Sequence, residues 1–181
     1  ALKKRGVYFL DAPVSGGTKG AESASLAIMV GGEKKIYKKN LKVLKMLGIP
    51  NYVGKPSSGQ AAKLANQIIV GITIGAVSEA IILSKKLGLK PTNVLKALKG
   101  GWADSKILQT HGLRMIKEDF KARGKVASQL KDMENILNTA KMKKINLPLS
   151  MIIRNLYKKL SKKGYDNLDH SYLYKEIKNY F

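Results

Sequence analysis

From Gln60 to about Leu87 the chain reads as one unbroken helix, opened by Pro56-Ser57-Ser58-Gly59 as linker and helix start. Its span of some 28 residues gives ~42 Å of helix at 1.5 Å per residue. The middle is apolar nearly all round, so a fold built on it has to surround it with other helices. Gly71 and Gly75, four apart, would let one neighbour approach closely. The most apolar window, Leu64 to Leu83, is 20 residues long and matches a membrane span in length. It contains Asn66, Gln67, Thr73, Ser78 and Glu79, each costly in hydrocarbon. The segment therefore reads as a buried helix, and no membrane partner is expected.

The two sides of this helix differ in period. Before it, Val7 to Leu10, Ser25 to Val30 and Asn51 to Gly54 read as short strands. Ile36, Leu41, Val43, Leu44 and Leu47 recur at helical spacing between lysines and stop at Gly48. After it, strand patterns vanish. Helices are expected over Pro91–Leu98, Ser105–Ile116, Ser128 to about Met142, Pro148–Lys162 and about His170 to Tyr180. The fold class is thus an α/β piece over 1–58 followed by an all-α domain over 59–181, built round the long helix.

Composition narrows the chemistry. Zero cysteines exclude a disulfide framework, a thiolate metal site and a cysteine nucleophile. The two histidines lie far apart in sequence, so no metal centre is expected. A formal charge of +22 invites a nucleic-acid reading, yet only Arg5, Arg114, Arg123 and Arg154 of the 34 basic residues are arginine. Arginine is the fork that reads bases, whereas lysine is a solvated point charge, and here the lysines are spread along the whole chain. Nucleic acid is not the expected partner.

Two segments look unlike scaffold. In Asp11-Ala12-Pro13-Val14-Ser15-Gly16-Gly17, a strand ends in a Ser-Gly-Gly turn that offers a hydroxyl and consecutive N–H groups to an anionic oxygen. On spacing alone a plain tight turn is the commoner meaning. In Gly59-Gln60-Ala61-Ala62-Lys63-Leu64-Ala65-Asn66-Gln67, Lys63 and Asn66 share one helix face among small apolar residues. Such a lysine either snorkels to water, the commoner case, or is held in a pocket as a proton donor. Ser15 with His111 or His170 lacks the surroundings of a nucleophile elbow. Asp11 with Glu22 and Asp166 with Asp169 read as turn or cap residues, Asp169 as the N-cap of the last helix. Tyr157, Tyr165, Tyr172, Tyr174 and Tyr180 read as core or interface, and Trp102 as packed.

At these residues the chain resembles the β-hydroxyacid dehydrogenase family, which includes 3-hydroxyisobutyrate dehydrogenase and tartronate semialdehyde reductase. Residues 11–17 resemble its substrate motif, Met29-Val30-Gly31-Gly32 the strand end that follows, Gly59–Gln67 its catalytic helix, and Lys131-Asp132 a later lysine–aspartate pair. Gly164 to Ser171 resembles the family ending, and Asp169-His170-Ser171 with Asn66-Gln67 leans toward the tartronate semialdehyde reductase branch. The resemblance implies an NAD- or NADP-dependent interconversion of a β-hydroxyacid and its semialdehyde. It makes Lys63 the general acid/base and Asn66 its orienting neighbour, with Ser15, Gly16, Gly17 and Gln67 on the substrate. Lys131 would reach the cofactor. It also implies a Rossmann-type α/β part, a cytoplasmic enzyme and a homo-oligomer formed through the helical domain.

Three departures stand out. The Gly-x-Gly-x-x-Gly fingerprint is absent, Ala24-Ser25 replaces a glycine–threonine pair, and Arg123-Gly124-Lys125 makes one loop unusually basic. Hence the chain is expected to lack the first part of the Rossmann domain and to turn over little NAD(P)H alone. The alternatives are a non-catalytic helical oligomerisation module and, behind it, a basic nucleic-acid binder.

Overall fold

The computed structural model describes residues 2–181, which fall into two units, one ending at Asn66 and one running from Gln67 to Phe181. In the first unit the organising element is β3 (Leu26–Gly32), whose Ile28 and Val30 are fully buried. Along one edge it pairs antiparallel with two short strands, β1 (Leu10–Asp11) and β2 (Val14–Ser15), in the registers Leu10↔Gly32, Asp11↔Gly31, Val14↔Ile28 and Ser15↔Ala27. The interruption between them is bridged by Met29 N–H, which donates to Pro13 O at 2.9 Å. Along its other edge β3 pairs in parallel with β4 (Gly48–Gly54). A parallel pair needs a crossover, and the helix over Lys34–Lys45 supplies it.

Several expectations shift here. The strand expected over Val7–Leu10 is paired only from Leu10 on; Val7, Tyr8 and Phe9 are exposed and meet no ladder partner among the described residues. Strand β2 and a six-residue helix, α1 (Gly17–Glu22), had no period to announce them, since α1 reads Gly-Thr-Lys-Gly-Ala-Glu and carries no large apolar residue. In the crossover helix, α2, Ile36, Leu41 and Leu44 are half-buried, whereas Val43, and Leu47 just past the helix end, are exposed.

The long helix, α3 (Ser58–Lys86), is long and apolar enough to cross a membrane by length and composition. In the second unit its Ile74, Val77, Ile81 and Ile82 are instead buried in protein. Burial of each such side chain stabilises by about 1.5–3 kcal/mol. Close approach explains the two glycines: a Cβ at Gly71 would lie 3.0 Å from Met133 Sδ, and one at Gly75 only 2.7 Å from Ile153 Cδ1. Those contacts come from α6 (Val126–Met142) and α7 (Pro148–Lys162). Before them, α4 (Pro91–Leu98) carries proline in its first turn, and α5 (Lys106–Lys117) is capped by Ser105, whose Oγ accepts from Leu108 N–H at 2.9 Å. The last helix divides into a 3₁₀ turn, His170–Tyr172, and α8 (Leu173–Lys178). Tyr157 and Tyr174 are buried outright, as core residues should be, but Tyr180 is exposed and Trp102 is not packed at all.

Candidate functional site

The first unit gathers the two segments that sequence singled out. Asp11, buried on β1, turns its carboxylate to the start of α3. Its Oδ1 accepts from Ser57 N–H at 2.8 Å and its Oδ2 from Gln60 N–H at 2.9 Å. Two glycines permit that approach. A Cβ at Gly31 would sit 2.6 Å from Asp11 Oδ1, and one at Gly59 would sit 2.4 Å from Met29 O and 2.6 Å from Asp11 O. The anchored turn then presents Lys63, half-buried, whose Nζ donates to Val14 O at 2.7 Å. Val14 directly precedes Ser15, so the amine stands beside the Ser15-Gly16-Gly17 turn. Gly16 (φ +147°) and Gly17 (φ +64°) take backbone angles that other residues rarely adopt. Asn66 follows Lys63 by three residues on α3 and is half-buried.

In the second unit, Gln67 Nε2 donates to Asp132 Oδ2 at 2.5 Å. Asp132 Oδ1 also lies 3.5 Å from Lys131 Nζ, whose side chain is largely exposed. Near them is a polar knot that sequence spacing had hidden. His111 on α5 and His170, 59 residues later, meet with their Nε2 atoms 2.8 Å apart. Separation along the chain does not carry into space. Thr110 Oγ1 lies 2.9 Å from His111 Nδ1, and Gln129 Oε1 lies 3.3 Å from His170 Nδ1. Burial, helped by His170 and Arg114, pushes His111 down to about 4, and burial lowers His170 as well. Both rings are therefore neutral at pH 7.

Asp169 is the anchor of this knot and has no exposed surface. It accepts from Ser171 N–H (3.1 Å) and Oγ–H (2.6 Å), from Arg123 N–H (3.0 Å), and from Arg114 Nη1 (3.2 Å). Burial pushes its carboxyl up, but the Ser171 hydroxyl, His170 and the backbone amides outweigh that and hold it below its ordinary value. The N-cap role expected of Asp169 is the one observed, through Ser171 N–H. His111, Asp169 and His170 bring metal-ligating atoms within 4.8 Å of one another. With Asp169 already engaged by an arginine and several N–H groups, the cluster is accounted for as an internal hydrogen-bond network.

A dinucleotide needs a glycine-rich strand-to-helix turn for its pyrophosphate. Among the described residues the β2–α1 turn is glycine-led, yet it opens only a six-residue helix without the Gly-x-Gly-x-x-Gly spacing. These residues do not fit a pyrophosphate. What they offer is an amine and a carboxylate-sized turn.

Comparison with known proteins places the chain in a family. Residues 57–177 match the family model described as NAD-binding of NADP-dependent 3-hydroxyisobutyrate dehydrogenase, and residues 1–54 match the NAD binding domain of 6-phosphogluconate dehydrogenase. The chain is 42% identical over 173 residues to 2-hydroxy-3-oxopropionate reductase of Escherichia coli, covering 95% of this chain and 59% of that one. It is 31% identical over 156 residues to 2-(hydroxymethyl)glutarate dehydrogenase of Eubacterium barkeri, covering 85% and 52%. Among solved structures, 3-hydroxyisobutyrate dehydrogenase of Mycobacterium tuberculosis, determined with L-serine, superposes with a TM-score of 0.83 at 28% identity, covering 93% and 60%. The chain thus spans about three-fifths of the length of the E. coli and mycobacterial proteins. The likeness bears out the expected architecture, a Rossmann-type α/β part followed by an all-α domain round one long helix.

Proposed function

Because this chain belongs to the β-hydroxyacid dehydrogenase family, we propose that it is the substrate-binding and proton-transferring portion of an NAD(P)-dependent oxidoreductase. Its substrates would be small β-hydroxyacids and their semialdehydes, of the size of 2-hydroxy-3-oxopropionate. The observation that carries the reading is the Lys63 amine, held 2.7 Å from Val14 O beside the Ser15-Gly16-Gly17 turn.

The chemistry follows from charge. When bound, a nicotinamide would supply the hydride for the reductive direction; the residues of this chain would handle the charge and the proton. Negative charge then develops on the carbonyl oxygen, and the Lys63 ammonium neutralises it and gives up one proton, leaving an alcohol and a neutral amine. Oxidation reverses the proton's path. The Gly16 and Gly17 N–H groups and the Ser15 hydroxyl hold the substrate carboxylate, which fixes the face of the carbonyl presented for reaction. Asn66 orients the substrate from one helical turn away, Gln67 contributes through its bond to Asp132, and Lys131 serves the cofactor.

An amide-resolved NMR titration with glycerate tests this. Shifts concentrated at residues 15–17 and 63 are the expected result. Shifts scattered over the exposed lysines would reject the reading. Adding NADH or NADPH with a semialdehyde should give negligible turnover, since no pyrophosphate turn is present among the described residues. Ile69 and Leu83 on α3 and Leu149 and Ile152 on α7 are exposed. They support self-association of the helical unit, which light scattering would report as a dimer or larger.

A further inference from the structure

We infer that Asp11 is the positioning residue for Lys63: its carboxylate fixes the register of α3 against β1 and β2, and thereby the place of the amine. This rests on the reading of Lys63 as proton donor. The first N–H groups of a helix have no acceptor within it. Asp11 satisfies two of them, Ser57 and Gln60, from a strand 46 and 49 residues away. One carboxylate thus does what a capping box usually does with two local side chains.

The spacing makes the effect specific. Three residues beyond Asp11 is Val14, and three residues beyond Gln60 is Lys63. The stretch 11–14 therefore holds one turn of α3 at both ends, by Asp11 Oδ2 on Gln60 N–H and by Val14 O on Lys63 Nζ. A slip of α3 by one residue would rotate it by about 100° and move it by about 1.5 Å, carrying the amine away from Ser15. Asp11 itself has no slack, because any Cβ at Gly31 or Gly59 would come within 2.8 Å of its carboxylate. A residue that merely stabilised the helix could cap it from any direction. This one does so from the strand that also leads into the anion-sized turn.

The test is the acylation rate of each lysine across a pH series, read by mass spectrometry on the folded 181-residue chain. In Asp11→Ala, Lys63 should react severalfold faster, because its Nζ no longer rests on Val14 O. The exposed Lys39 and Lys141 should be unchanged. Asp11→Asn keeps one acceptor and should fall between. An unchanged Lys63 rate in either variant, with helical circular dichroism retained, overturns the inference. If all lysines accelerate together in Asp11→Ala, the variant has unfolded and Asp11→Asn decides: a rise confined to Lys63 supports positioning, and its absence refutes it. Protection of wild-type Lys63 by glycerate is scored separately. Its loss alone would sink the proton-donor reading while leaving the link between Asp11 and Lys63 standing.

Discussion

Acidification should loosen the helical unit well before its carboxylates are protonated. The cause is the buried pair His111 and His170. In the unfolded chain an imidazole takes its proton near 6.5, whereas folded His111 resists until about 4. Its folded pKa is depressed, so the unfolded state binds more protons across that window. The stabilisation is complete above about 6.5 and is lost as pH falls toward 4. At about 1.4 kcal/mol per unit, His111 alone should cost about 2 kcal/mol between pH 7 and pH 5, and about 3 kcal/mol by pH 4. His170 is shifted in the same direction and steepens the loss, and the two must titrate as a coupled pair. Urea unfolding followed by circular dichroism at pH 7, 6 and 5 measures the slope, while the imidazole proton shifts report where the pair titrates. Equal urea midpoints at pH 7 and pH 5, or imidazoles that titrate near 6.5 in the folded chain, would refute the assignment of a desolvated pair.

Three substitutions probe the rest. Gly59→Ala places a Cβ 2.4 Å from Met29 O; it should destabilise the first unit by about 2–4 kcal/mol and speed hydrogen exchange at Ser57 and Gln60. Asp169→Asn removes the charge and one of the two acceptor oxygens that serve Ser171, Arg123 and Arg114; the uncompensated arginine and amides should cost about 3–5 kcal/mol in urea unfolding. Trp102→Ala, at a fully exposed ring, should leave the urea midpoint within about 0.5 kcal/mol of wild type, while its fluorescence in the parent chain should be readily quenched by iodide.

How much could be read from residues alone depended on whether the cause was local. The helices from α4 to α7 were legible because each carries its own apolar period and punctuation, and α3 because of its apolar length. Proline opens α4 and α7, Ser105 caps α5, and Gly164 (φ +81°) closes the turn after α7. Strands β1 and β2 were harder, since two residues cannot show an alternation. Trp102 was misjudged because aromatic character predicts burial only on average, and the Gly100-Gly101 stop carries it clear of every helix face. The histidine pair had no local signal at all. His111 and His170 are brought together by the fold, and no period or motif links positions 59 residues apart.

The same distinction explains the unusual charge. With 34 basic residues against 12 acidic ones, most lysines have no carboxylate to meet, and local reading sees only an excess of positive charge. Three of the scarce carboxylates are committed to contacts with residues distant in sequence. Asp11 holds the start of α3, Asp132 takes Gln67, and Asp169 ties Arg114 to the loop at Arg123 and the turn at Ser171. Each accepts several donors or sits where water is largely excluded, so each contributes more than an exposed lysine–glutamate pair, which is worth at most about 1 kcal/mol. Asp11 was legible in kind, as a cap, but not in reach, because its helix begins some 46 residues later. A surplus of surface lysine is therefore compatible with a specific fold. Such charges repel weakly through water and salt, whereas the carboxylates that set register are shielded from both.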